Sequence, residues 1–144
     1  MDGFAGTGAV GLEALSRGAD LVYFVETDAA AVKVIQANLA RCDVGAGFQL
    51  LKQDTLAFLR DFTGDAADVL FLDPPYRFHG YRALLATVAA SGLCGPDSTV
   101  VLEVFKKTSI DFVPPSMNLV RTLKAGDSHL LLLEGTQDGD EEEC

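Results

Sequence analysis

Val69-Leu70-Phe71-Leu72-Asp73-Pro74-Pro75-Tyr76 joins an apolar run to a stiff polar end. The run reads as a strand buried on both faces, the pattern of a parallel sheet. A carboxylate that ends such a strand, here Asp73, points into the crevice where open α/β sheets bind ligands. Pro74 and Pro75 fix φ and remove their backbone donors, so the chain leaves the sheet stiffly. Their carbonyls stay acceptors. The Asp73 side chain and the Pro74 carbonyl form a rigid acceptor cluster, with the aromatic plate of Tyr76 beside it. That set suits a planar base carrying an exocyclic amino group: the acceptors hold the N–H hydrogens and the ring stacks on the base. A bare Asp-Pro-Pro is equally a strand end with a turn. The glycine loop upstream tips the reading toward chemistry.

That loop lies in Met1-Asp2-Gly3-Phe4-Ala5-Gly6-Thr7-Gly8-Ala9-Val10-Gly11, where Gly6, Gly8 and Gly11 fit G-x-G-x-x-G. The first two glycines allow a tight turn and close backbone approach to a ligand, and the third permits close helix packing. The pattern alone is weak. A helix over about 9–17 follows, with Val10, Ala14 and Leu15 inward and a stop at Gly18. Leu21–Glu26 reads as a second buried strand. Glu26 lies about 20 residues past the glycine turn, where nucleoside-binding α/β folds place a carboxylate on the ribose hydroxyls. The plain alternative is an exposed strand-end glutamate. Asp28 caps a helix over 29–41, and Val32, Ile35 and Leu39 face the sheet.

Phe48–Lys52 is a third strand. Asp54 after it either caps the helical turn Leu56–Phe62 or accepts from an adenine amino group, and the local sequence leaves both open. A helix over 81–91, a turn at Gly95-Pro96-Asp97 and a strand over Thr99–Val104 follow. Lys106 and Lys107 read as a solvated edge. Segments 118–124 and 129–133 face each other across Ala125-Gly126-Asp127, a hairpin signal. Strand–helix alternation ending in a hairpin predicts an α/β fold: a mostly parallel sheet with one antiparallel edge pair.

The chain has 144 residues, 49% of them hydrophobic, enough for one domain with a real core. We expect the domain over 1–135 and a solvated acidic tail over 136–144. No apolar run is long enough for a bilayer, and no basic-then-apolar leader is visible. Cys42, Cys94 and Cys144 lack metal-ligand spacing, which fits a reducing cytoplasm, and neither His79 nor His129 suggests a metal. A formal net charge of -10 argues against gripping nucleic acid through the overall field.

Asp2-Gly3-Phe4-Ala5-Gly6-Thr7-Gly8, Glu26, Gln53-Asp54 and Asp73-Pro74-Pro75-Tyr76, in this order, resemble S-adenosylmethionine-dependent methyltransferases acting on base amino groups. The stretch from Phe4 to Ala19 is similar to the RsmD family, bacterial methyltransferases for guanine N2 of small-subunit ribosomal RNA. The resemblance runs from Asp2 to about Leu133. It implies a Rossmann-like class I methyltransferase fold, in a monomer that works on rRNA or a small-subunit assembly intermediate. By the same resemblance Asp2, Phe4, Gly6 and Gly8 hold the methionine end of S-adenosylmethionine, Glu26 takes the ribose and Asp54 the adenine. Asp73, Pro74, Pro75 and Tyr76 then hold the base, without a metal. Asp-Pro-Pro-Tyr is shared with adenine-N6 and cytosine-N4 enzymes. Family members carry a basic segment and most of the first strand ahead of the glycine loop. This chain begins inside that strand, so a shortened central strand and a weaker hold on RNA are expected. Gly3 stands where the family has an apolar residue. Two rivals share the glycine loop: a nicotinamide-dependent dehydrogenase, which leaves Asp73-Pro74-Pro75-Tyr76 unexplained, and a non-catalytic binding domain.

Overall fold

The computed structural model describes residues 1–136, so the expected acidic tail lies, from residue 137 on, outside the described residues. Seven strands form one sheet. They are β1 (Asp2–Gly3), β2 (Val22–Glu26), β3 (Phe48–Lys52), β4 (Ala67–Leu72), β5 (Cys94–Phe105), β6 (Met117–Ala125) and β7 (Ser128–Gly135). Their spatial order is β3-β2-β1-β4-β5-β7-β6. β1 to β5 pair in parallel, and β7 lies antiparallel between β5 and β6. The predicted hairpin is thus the sheet's antiparallel edge. From β1 the chain winds one way through β2 and β3, then crosses back to β4 and β5. β1 and β4 therefore flank the topological switch point, where open α/β sheets take ligands beyond the strand C-termini. The glycine loop leaves β1 there, and Asp73 leaves β4.

Helices α1 (Ala9–Ser16) and α2 (Ala29–Arg41) cover one face over β1–β3, while α3 (Thr55–Asp61) and α4 (Tyr81–Ala90) cover the other. Alternation along β2 serves both layers. Phe24 packs with Ile35 and Leu39 under α1 and α2, and Val25 joins the core with Leu59, Leu70, Leu85 and Leu102. Truncating one of these fully buried leucines to alanine costs about 2–5 kcal/mol. Asp28 caps α2 by accepting from the Ala31 N–H at 3.1 Å. Val10 departs from the expected pattern: it is 40% exposed. Gly11 is the residue of α1 pressed on the sheet, and a Cβ there would stand 2.3 Å from Phe24 Cε1. Glycine spacing, not the apolar period, sets the depth of this helix.

β5 also differs from expectation, starting at Cys94 rather than Thr99. Its pairing with β4 shifts register between Ala67 and Val69. The Gly95 N–H donates to Ser98 Oγ, and the Ser98 hydroxyl donates to the Ala67 carbonyl. The turn residues are absorbed as an irregularity within the strand, where Pro96 needs no donor. β1 has only two residues. At buried Gly3 the space a side chain would take is filled by the ends of Leu72, Met1 and Thr55.

Candidate active site

The loop after β1 is bent through positive φ at Phe4 (56°), Gly6 (58°) and Gly8 (77°). Glycine takes this region freely, whereas for phenylalanine it costs on the order of 1–3 kcal/mol. Phe4 is held in place regardless. Its N–H donates to Thr55 Oγ1 at 3.2 Å, and its ring meets Phe78 edge-on with centroids 5.7 Å apart. Carboxylates take two of the motif's glycine donors, one in the loop and one in α1. Gly6 N–H donates to Glu26 Oε1 at 2.9 Å, and Gly11 N–H donates to Asp2 Oδ2 at 3.0 Å. In a dinucleotide site such N–H groups, at the start of a helix, face a pyrophosphate. Here two negative groups of the protein already occupy them.

Glu26 also accepts from the Asp28 N–H, through Oε2 at 3.0 Å. Each carboxylate oxygen has a second acceptor position, so an oriented Glu26 can still receive two hydroxyls. Gln53 N–H donates to the Glu26 carbonyl at 3.1 Å, which brings the ends of β2 and β3 together just before Asp54. Of the two roles open for Asp54, the cap is made: Oδ2 accepts from the Ala57 N–H at 3.0 Å. α3 starts at Thr55, one residue before the expected Leu56, and ends at Asp61, one before the expected Phe62, while Asp54 stays exposed.

Asp2 is buried, with 3% of its surface exposed. Burial raises its carboxyl to about 6; the Gly11 N–H and the chain's amino group oppose the rise, and Asp73 and Glu26 add to it. Asp2, Glu26 and Asp73 thus share one negative field in the crevice. Such a field favours a cationic ligand over a polyanion.

At the end of β4, the Asp73 N–H points at the Gly3 carbonyl, 3.4 Å away, linking the two loops of the crevice. The Pro75 carbonyl accepts from Phe78 N–H at 2.8 Å, so the turn after the prolines is closed. Pro74 is buried, and Tyr76 is 73% exposed with its ring edge-on to Phe105, centroids 4.9 Å apart. Asp73, Pro74, Tyr76, Tyr81, Glu103 and Phe105 line a cleft of about 140 Å³. Desolvation first, then the Glu103 charge, raises the Asp73 carboxyl to about 6. Desolvation and Asp73 also raise the Tyr81 phenol, against a hydrogen bond with Thr108. A larger depression of about 770 Å³, between α1 and the Cys42–Gly47 segment, contains none of these residues.

Glu103, Phe105, Tyr81, Phe78 and Thr55 were not anticipated as site residues. Only Glu103 carries a signal in the sequence: it is an acid inside the apolar run Val100-Val101-Leu102-Glu103-Val104, where a buried parallel strand has no use for charge.

The strand order, the antiparallel β7 and the paired loops at the β1/β4 switch define a class I methyltransferase fold. A ribosomal protein L11 methylase from Lactobacillus delbrueckii shares it with a TM-score of 0.70 at 13% identity, covering 92% of this chain and 67% of that one. The chain belongs to the family described as Conserved hypothetical protein 95, whose model matches residues 1–134, so the RsmD-like resemblance holds. Ribosomal RNA small subunit methyltransferase D of Haemophilus influenzae is 30% identical over 129 residues, 88% of this chain and 66% of that protein. The Escherichia coli K12 protein of the same name is 29% identical over 126 residues, 88% of this chain and 63% of its own. The chain thus spans slightly under two thirds of these relatives. A conserved hypothetical protein of Streptococcus pyogenes superposes with a TM-score of 0.84 at 28% identity, covering 92% of this chain and 82% of that one.

Proposed function

We propose that this chain methylates the exocyclic amino group of a base in RNA, with guanine N2 of small-subunit rRNA as the target and S-adenosylmethionine as the donor. The observation that carries the reading is the junction of the two loops. Gly3 and Asp73 meet at the β1/β4 crevice, so a cofactor site and an acceptor-lined base site adjoin. The residues suit that cofactor. It is a cation at sulfur and at its amino group, and the Asp2 and Glu26 carboxylates supply negative charge on the cofactor side of the crevice. The Gly6 and Gly11 N–H groups of the glycine motif are already taken by Glu26 and Asp2, which disfavours the dinucleotide rival.

Bound there, S-adenosylmethionine supplies an electrophilic methyl on a sulfonium. The chain's residues position and activate the acceptor. A guanine amino group is a poor nucleophile because its lone pair is delocalised into the ring. Asp73 and the Pro74 carbonyl accept its two hydrogens, favour a pyramidal nitrogen and aim the lone pair at the cofactor side. Orientation of this kind can contribute several kcal/mol. Pro75 keeps the turn rigid. Tyr76 stacks on a base drawn out of its helix or loop, and its exposure fits a surface that waits for one. Glu26 takes the ribose hydroxyls, and the free oxygen of the Asp54 cap takes the adenine amino group.

We read the working partner as rRNA or a small-subunit assembly intermediate, and the chain as a cytoplasmic monomer. Among the described residues no helix is long and apolar enough to cross a membrane. A second reading, a cofactor-binding domain without transfer, is favoured by the net charge of -10, which works against RNA affinity. Calorimetry with S-adenosylmethionine and NAD, together with radiolabelled transfer to small-subunit RNA and assembly intermediates, separates the readings. Cofactor binding with transfer supports the enzyme; cofactor binding without transfer to any RNA supports the second reading.

A further inference from the structure

Asp73 and Glu103 stand side by side. Leu72 pairs with Leu102 in the β4–β5 register, so the next residue on each strand brings a carboxylate to the same cleft. Among the described residues neither forms an ion pair; the two pairs present are Arg17–Glu13 and Lys106–Asp127. Placing like charges together at the mouth of an apolar sheet is unfavourable: the Asp73 carboxyl is raised first by desolvation and further by the Glu103 charge. The rest of the cleft suits a ring, since Tyr76 and Phe105, in edge contact with each other, and Pro74 also line it. What is missing is a pair of adjacent donors on a planar ligand.

We propose that Glu103 is the base-selecting residue of the cleft, accepting the ring N1–H of guanine while Asp73 and the Pro74 carbonyl hold the neighbouring N2 amino group. The assignment rests on the reading of the crevice as a base-methylating site. Guanine is the base whose pairing edge presents a ring N–H next to its amino group. Adenine and cytosine place an unprotonated ring nitrogen beside theirs, and its lone pair would face the Glu103 carboxylate. A wall made only of acceptors therefore accepts guanine and turns the other two away. Tyr81 borders the same cleft and cannot replace this function, because a hydroxyl both donates and accepts and so tolerates either nitrogen.

The test uses RNA in which the methylated guanine, first located by mass spectrometry, is replaced by 2-aminopurine. That base keeps the N2 amino group and lacks N1–H. The unsubstituted protein should lose about 10- to 100-fold in kcat/KM on the replacement, the discrimination expected of a two-point contact. Glu103→Gln, which keeps the shape and adds a donor, should lose activity on guanine and narrow the gap between the two bases to under about 5-fold, or reverse it. Cofactor affinity, read by calorimetry, should not change in this variant and shows that it is folded. Equal use of the two bases by the unsubstituted protein overturns the role of Glu103 without any variant. An unchanged gap in Glu103→Gln also overturns it while leaving the methylating reading intact. Failure of the unsubstituted protein to methylate any RNA overturns both.

Discussion

Gly6 and Glu26 are joined by a 2.9 Å hydrogen bond from the loop N–H to Oε1. This contact turns a glycine loop of dinucleotide pattern into one without a free anion-binding donor at that position. It also fixes the carboxylate at the end of β2. S-adenosylmethionine should bind where NAD does not, and Glu26→Ala should weaken it by about 1–3 kcal/mol, the cost of unpaired hydroxyls plus a loosened loop. Calorimetry with both ligands checks this, and unchanged affinity in the variant removes Glu26 from the site.

Asp2 makes a pH signature. Its folded carboxyl titrates at about 6 against an ordinary value of 3.8, so the folded state holds the proton more tightly. This contribution is fully present below the ordinary value and is lost as pH rises from about 4 to about 6. Thermal stability of the protein should fall across that window by a contribution on the order of 1–3 kcal/mol. Asp2→Asn cannot ionise and can still accept from Gly11 through its carbonyl, so its melting curve should be flatter over the same range. Parallel pH profiles for the two proteins would contradict the assignment.

Gly11→Ala sets two effects against each other. Helix propensity favours alanine by up to about 1 kcal/mol. Overpacking opposes it by about 1–3 kcal/mol, and the obstacle here is a ring buried on all sides. Overpacking should win, with a net loss of about 1–2 kcal/mol in a denaturant titration. A stabilised variant would mean that α1 sits further from β2.

The strand–helix alternation, the antiparallel hairpin and both loops were legible because local signals mark the strand ends that matter: the glycine loop after β1, Glu26 at the end of β2 and Asp-Pro-Pro after β4. Val10 and the start of β5 were not. The first depends on a helix held to the sheet through Gly11, which apolar periodicity does not register. The second depends on Ser98 stitching turn residues to the Ala67 carbonyl across two strands. Asp54 was ambiguous because a cap and a ligand contact use the same residue type at the same strand end. Glu103 and Phe105 enter the site only through the β4–β5 register, a long-range pairing that local sequence does not contain.

Tyr76 should act through its ring. Tyr76→Ala removes a stacking surface worth about 1–3 kcal/mol per base, so KM for RNA should rise about 5- to 100-fold. Tyr76→Phe keeps the ring face and its edge contact with Phe105, and should be mild. Steady-state transfer on small-subunit RNA separates the two, and equal losses in both would assign the role to the hydroxyl.

In the proposed reaction Asp73 acts on the acceptor and not on the cofactor. It ends β4 on the far side of the crevice from Glu26 and Asp54, and its variant should reveal that division. The decisive measurement is single-turnover methyl transfer by Asp73→Ala, with the Kd for S-adenosylmethionine determined on the same preparation. The account predicts a loss of transfer of about 100-fold or more, with cofactor affinity within about 3-fold of the unsubstituted protein. Near-normal transfer would contradict it, and a matching collapse of cofactor affinity would move Asp73 to the cofactor side.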